Sequence, residues 1–379
     1  MRRAVNDNLG LLGWLLALLV GTLFAVLYIV NLSPYSYRSG GDSPVYVRAE
    51  VISASSPVLM KNSSQMGQQT IVAKIVDGPD KGQRVEVKRT VAVSDSRLVD
   101  MPVGSKLLLS QSVGQKNYNY INRYHIPGLA FLFGVVLLLI AVVGRWRGLT
   151  GLVGLLAGLC VLFVFVIPRI LDGHDPYIAC SQGAFMIAVV SVFIAHGFNK
   201  RAAIALMSTT AILLLVVGGV TVATYLVGFV GYAGSEANGL LYADKPISVY
   251  GLIAGGMLIA VLGVLDDITT GQSAVVDELY KTNPKLSTRV LYFKGLSVGG
   301  EHVASLVNTL ALVYVGVSLP TIVLTQLYFD GPLLVLLNYE VITEEILRTL
   351  ITSASLLIAV PVSTILAAYI LPRWYKVSG

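Results

Sequence analysis

Charge is scarce in this chain. Only 13% of its 379 residues are Asp, Glu, Lys or Arg, where soluble domains carry about 25%, so the water-facing surface of an ordinary globular protein cannot be assembled from what is present. Cysteine is scarcer still. Cys160 and Cys180 are the only two and both sit in apolar stretches, which excludes a disulfide framework and a thiolate metal site. The four histidines (His125, His174, His196 and His302) are dispersed and no His-Glu-x-x-His pair occurs, so the usual zinc hydrolase signature is missing. No Gly-rich phosphate loop followed by lysine is present, so the chain is not expected to hydrolyse nucleotide, and no cofactor is implied. The net charge of +6 does not make a disordered or nucleic-acid-binding protein, because such basic chains do not hold long apolar runs.

Apolar residues are what the chain has in abundance: 55% hydrophobic, with a mean hydropathy of +0.74. A bilayer core needs about 20 apolar residues per helix, and eight runs qualify, at residues 9–30, 126–143, 148–167, 177–195, 202–230, 247–265, 302–328 and 346–371. The first outruns a signal-peptide core of about 7–15 residues and lacks a small-x-small cleavage site; it is expected to be a retained anchor. Of the 27 Lys and Arg, eleven lie in the polar stretch 42–125, long enough to be translocated regardless of charge. Twelve of the rest fall on connections that share a side with the N-terminus, and only Arg38, Arg169, Lys245 and Arg348 fall on the other. Both termini are therefore expected in the cytoplasm and the polar stretch outside.

That stretch reads as β structure. Residues 45–52, 70–76 and 84–88 alternate or are β-branched, a loop at 77–82 joins the last two, and shorter strands are expected at 106–111 and 118–124. The fold expected is an α-helical polytopic membrane protein of about eight transmembrane helices, with a small extracytoplasmic all-β domain of OB or SH3-like barrel type after the first helix. Its divisions are an anchor at 1–31, the β domain at 42–125, and a seven-helix membrane domain at 126–379 with a cytoplasmic amphipathic segment at 268–297.

An intramembrane carboxylate costs about 2.5–3.5 kcal/mol on insertion scales, so polar residues that interrupt apolar runs mark candidate function. The sixth run ends at Asp266-Asp267. If the helix continues, Asp266, Thr270, Ser273 and Asp277 share one face, opposite Val264, Ile268, Val275 and Leu279. This is either a site or the polar end of a membrane helix leading into an amphipathic surface helix. The seventh run opens with Gly299-Gly300-Glu301-His302, and Glu301, His302, Ser305, Asn308 and Thr309 fall within an arc of about 120°. Such a stripe must face protein or water, as a site or as hydrogen-bonding glue between helices. Asp266 or Asp267 is expected within single-water reach of His302, with Gln272, Glu301 and Asn308 around the same cavity, as a protonatable or cation-binding pair requires. The loop carrying Arg169, Asp172, His174 and Asp175 reads as a solvated turn. Residues 330–348 read as interfacial or re-entrant, since their apolar run is too short to cross.

The run from Gly263 through Asp266-Asp267 to Thr269, followed by Gln272, Glu278-Leu279, Asn283-Pro284, Gly299 to His302, Asn308-Thr309-Leu310 and Ser318-Leu319-Pro320, resembles the signature of YibE/F-like membrane proteins. The likeness extends over nearly the whole chain, with Lys81-Gly82-Gln83 and residues 103–106 in the β segment. Related sequences read Gly-Arg-Asp-His where this one has Gly299-Gly300-Glu301-His302, so a role built on that arginine does not carry over. The resemblance implies a polytopic membrane fold and names no reaction.

Frequent small residues in the helices allow close packing and hinge-like adjustment. Together with the polar stripe and membrane carboxylates, they favour a transporter or permease whose pathway uses Asp266, Asp267, Gln272, Glu301, His302, Ser305, Asn308 and Thr309. An alternative is a permease subunit coupled to a separate cytoplasmic ATPase through residues 271–284, with Asp277, Glu278, Asn283 and Pro284 docking the partner. A membrane enzyme built on His302, Glu301, Asp266 and Asp267, and a sensor or assembly scaffold, are further readings. Partners expected are the lipid bilayer, such an ATPase or another membrane subunit, and a homo-oligomer; nucleic acid is not among them.

Overall fold

The computed structural model describes residues 44–60, 65–93, 99–112, 117–231, 240, 247–328 and 331–377. The anchor expected at 9–30 lies outside them. The chain forms two compact units, Met1–Arg145 and Trp146–Gly379.

In the first unit, strands β1 (Val45–Ala54), β2 (Val58–Leu59), β3 (Met66–Ile75), β4 (Arg84–Ala92), β5 (Lys106–Gln111) and β6 (Asn119–Arg123) make one antiparallel sheet. β4 pairs with one edge of β3; β1 and the short β2 share the other, and β5 then β6 follow beyond β1. Alternation along the strands sends Val47, Ala49, Val51, Ile71, Ala73, Ile75, Leu107 and Leu109 into one core, as period-two patterning demands. The hairpin after β3 turns at Gly78 and Gly82, whose φ of 89° and 91° suit residues without a Cβ. Asp77 holds that turn to β1 through the Arg48 backbone amide at 2.6 Å and its Nε at 2.7 Å. All five expected strand regions are present as strands, and they form a curled sheet. Helix α1 (Ile126–Gly144) completes this unit and ends in a π turn before Arg145, which takes a φ of 51°.

The second unit is helical: α2 (Gly148–Leu171), α3 (Pro176–His196), α4 (Lys200–Val227), α5 (Val249–Thr282), α6 (Thr288–Tyr328), the short α7 (Leu333–Leu336) and α8 (Glu340–Val377). With α1, seven helices among the described residues are long and apolar enough to cross a membrane. Starts are written in the sequence: Asp175, Asn199 and Ser248 each accept an amide of the first turn, from Ile178, Ala202 and Gly251. α3 ends at His196 before Gly197, and α4 ends on left-handed Gly228. The residues around His174 form the expected turn.

α5 is the central helix, packing against α3, α4, α6 and α8. Half of its most apolar window is buried, against 6% for α6. The main core joins Ile212, Val216 and Val220 of α4 to Leu258, Val261 and Leu265 of α5, Val303 of α6, and Leu356 and Val360 of α8.

One expectation is corrected here. The segment 268–297 is not a separate amphipathic element: α5 runs unbroken to Thr282 and α6 begins at Thr288, with a tight connection in which Asn283 Oδ1 accepts the Lys285 amide. The polar face of that segment meets protein where Ser273 and Asp277 are fully buried, while Asp266 and Thr270 at its start line a cleft. Within 330–348, α7 is a short helix and Glu340 onward belongs to α8, where Glu344 and Glu345 pair with Arg348.

Candidate functional site

Asp266 and Asp267 lie on the side of α5 that faces α2 and α3, in a cleft of about 1200 Å³. Gly154 and Gly158 on one wall let α2 approach α3 closely: a Cβ on Gly154 would lie 3.3 Å from the Ser191 carbonyl, and one on Gly158 would lie 3.1 Å from Ile187. The opposite wall is built differently. Gly263 and Gly271 line the cleft one turn either side of Asp267, and nothing within 4 Å would obstruct a Cβ at either. Side chains would fit there, and the sequence supplies none, so the carboxylates stand beside open space.

Ser191 Oγ donates to Asp266 Oδ2 at 2.9 Å. The other oxygen, Oδ1, is buried and takes no hydrogen bond among the described residues, a cost of about 1–3 kcal/mol for a polar atom and more for a charged one. A proton or a cation on that carboxylate removes the cost. Asp267 is exposed to the cleft, with His196 and His302 both within electrostatic reach and His196 also within reach of Asp266. The hydroxyls of Thr270 and Ser273 bond back to the carbonyls of Asp266 and Thr269 at 2.7 Å each. Thr269 pairs with Thr209 of α4 at 2.7 Å. No group of three or more His, Cys, Asp or Glu able to hold a metal occurs among the described residues.

At one end of the cleft, Lys200, Arg201, Lys281 and Tyr375 form its lining. Arg201, Lys281 and Tyr375 meet at Asp277. Tyr375 donates to Oδ1 at 2.9 Å, Lys281 approaches Oδ2 at 2.8 Å, and Arg201 forms an ion pair with Oδ2 through Nε while its Nη2 reaches Glu278 at 2.8 Å. Lys200 bonds the Trp374 carbonyl at 2.9 Å and stacks over the Tyr375 ring. This latch ties α4, α5 and α8 together. Sequence reasoning missed it because its members lie far apart in the chain, and it corrects the assignment of Asp277 as a docking residue: a fully buried carboxylate presents nothing to a partner. Glu278, Asn283 and Pro284 are exposed.

Gln272 is not among the residues lining the cleft. It is buried between α5, α6 and α8, donating from Nε2 to the Gly295 carbonyl at 2.6 Å and to Thr364 Oγ1 at 2.7 Å. A Cβ on Gly299 would lie 2.7 Å from its Oε1, and one on Gly295 would lie 2.8 Å from Thr364. The string Gly295-Leu296-Ser297-Val298-Gly299 also fits the Gly-x-Ser-x-Gly pattern of hydrolases. It lies within continuous helix, whereas a nucleophile elbow needs a strand-to-helix turn, and its glycines are explained by this packing. Glu301, Ser305, Asn308 and Thr309 do not line the cleft either. With His302 they are exposed on α6.

No curated protein and no solved structure matches the chain. A family model does, over residues 132–373, well over half the chain and including Asp266, Asp267, the Gln272 clamp and Asp277; the chain belongs to the YibE/F-like protein family.

Proposed function

We propose that the chain is a transporter of the plasma membrane, with both termini cytoplasmic and the β sheet outside, in which Asp266 and Asp267 take a proton or a small cation in the cleft. The observation that carries this reading is the buried, unpartnered Oδ1 of Asp266 beside a cleft walled by open glycines. His196 lines the same cleft within electrostatic reach of both carboxylates. The unequal distribution of Lys and Arg between alternate connections supports the orientation.

The test uses the purified full-length chain. Ligand that binds the folded state stabilises it by about 2.7 kcal/mol at a hundredfold excess over Kd, so melting temperature is measured across pH and with Na⁺, K⁺, Mg²⁺ and Mn²⁺, and ion-driven proton flux is read by a dye inside proteoliposomes. One of these responses is expected in the wild type and lost in Asp266→Asn. Indifference of the wild type to every ion and to pH, with no flux, refutes the reading, as does a full response in Asp266→Asn.

A second reading, coupling to a separate ATPase, is favoured by a groove of about 490 Å³ lined by Glu278, Leu279, Asn283 and Lys294 at the junction of α5 and α6. Glu278→Lys with Asn283→Ala would release such a partner and leave the latch at Asp277 intact. A chain that purifies alone from its native membrane under gentle conditions speaks for the autonomous transporter.

A further inference from the structure

Among the described residues, the polar stripe of α6 lies exposed on the side turned away from the helices it packs on. Gly295, Gly299 and Val303 are buried against α5 and α8, whereas Glu301, His302, Ser305, Asn308 and Thr309 are exposed. Thr309 bonds the Ser305 carbonyl at 2.9 Å. Glu301, His302 and Asn308 make no hydrogen bond among the described residues. An unsatisfied amide two turns into an apolar run is costly in lipid, so this face calls for an occupant.

The pattern along the face says which. Val298, Glu301, Ser305, Asn308, Leu312, Val315 and Leu319 follow at alternating spacings of three and four and every one is exposed. Alternation of this kind is the seam of a left-handed helix pair, in which each residue of one helix inserts among four of the other.

We propose that α6 is the interface between two copies of this chain, packed parallel and in register about a two-fold axis along the membrane normal. Two copies inserted with the same orientation pack parallel, and a closed pair of them is related by such an axis. In-register packing places Glu301 of one copy in a hole framed by Val298, Glu301, His302 and Ser305 of the other, so carboxylate meets imidazole across the axis. Asn308 enters a hole that contains Ser305, Asn308 and Thr309 of the other copy, and an asparagine at such a position fixes register in paired helices. All five polar residues are thereby used.

Neither α1 nor the run 9–30 offers the same chemistry. The α1 sequence has no hydrogen-bonding side chain, and the run 9–30 offers only Trp14, Thr22 and Tyr28. A second α6 brings the complementary set at the same depth. This inference does not depend on transport, because the seam lies on residues outside the cleft.

Disulfide trapping in native membranes tests it, in a background of Cys160→Ser and Cys180→Ala. Ser305→Cys and Asn308→Cys are expected to form covalent dimers on mild oxidation, while Val317→Cys, exposed but off the seam, is not. The parent protein in nanodiscs is expected at the mass of two chains, and Glu301→Lys, which sets lysine against the partner's histidine, is expected to shift it to one. A monomeric parent without crosslinks at either seam position overturns the proposal. So does crosslinking at Val317→Cys equal to that at Asn308→Cys. An intramolecular crosslink between Asn308→Cys and Thr22→Cys, with no dimer, would assign the face to the chain's own amino-terminal segment and overturn it equally.

Discussion

Neutralising Asp277 should damage the membrane unit far more than neutralising its neighbour Glu278. Asp277 is 0% exposed and meets Tyr375, Arg201 and Lys281, whereas Glu278 is 64% exposed and meets Arg201 alone. Removing one member of a buried ion pair costs about 3–5 kcal/mol, chiefly because the opposite charge is left without compensation. Arg201 and Lys281 are 38% and 43% exposed, so water recovers part of that loss, and about 2–4 kcal/mol is expected for Asp277→Asn. Glu278→Gln should cost at most about 1 kcal/mol, as exposed pairs do. In a chain of this length each kcal/mol moves the midpoint by about 2 °C, which predicts losses of about 4–8 °C and under about 2 °C for the two variants. Midpoints are compared in one detergent at one scan rate, since large proteins unfold irreversibly. Equal shifts for the two variants, or an Asp277→Asn midpoint within about a degree of the parent, would refute the latch.

Gly263→Leu should abolish the proton or cation response of the parent without lowering its melting temperature, because the new side chain enters open cleft space and leucine is the better helix former by up to about 1 kcal/mol; retained response at normal expression contradicts it. Gly299→Ala should destabilise by about 1–3 kcal/mol, since its Cβ would lie 2.6 Å from Val360 and 2.7 Å from Gln272, and an unchanged melting temperature would show that α6 and α8 can part at no cost. In intact cells an impermeant thiol reagent should label Lys81→Cys in the β hairpin and spare Ser287→Cys in the α5–α6 connection until the membrane is permeabilised; the opposite pattern inverts the proposed topology.

The seven long apolar helices and the strands were legible because each rests on a local signal. Apolar runs of bilayer length need no knowledge of neighbours, and the alternation in residues 45–52 or 70–76 states which face is buried before any partner strand is known. Asp266 and Asp267 were legible as exceptions within such a run, and the structure places both in the cleft. Direction was what the sequence could not state. The stripe of Asp266, Thr270, Ser273 and Asp277 has the same periodicity whether it faces water or protein; only Arg201 and Tyr375, 76 and 98 positions from Asp277 along the chain, decide the matter. Gln272 failed for the same reason, since its partners Gly295 and Thr364 come from two other helices.

Glycine does two opposite jobs along α5 and α6, and separating them locates where the bundle is able to change shape. Gly255, Gly295 and Gly299 are contacts: a Cβ would lie 2.6 Å from Cys180 Sγ at Gly255, 2.8 Å from Thr364 at Gly295 and 2.6 Å from Val360 at Gly299. These fix α5 to α3 and α6 to α8. Gly263 and Gly271 touch nothing and give up about 1 kcal/mol each of helix propensity. Between them lie Asp266, Asp267 and the hydroxyls of Thr269 and Thr270 turned back on the helix carbonyls, a bonding mode that bends helices. α5 is thus held rigidly by the Gln272 clamp and the Asp277 latch, and is least stiff one to two turns before them, where its carboxylates meet the cleft. The transport proposed above needs a site that can move relative to a fixed frame, and this division of α5 is what that proposal would use.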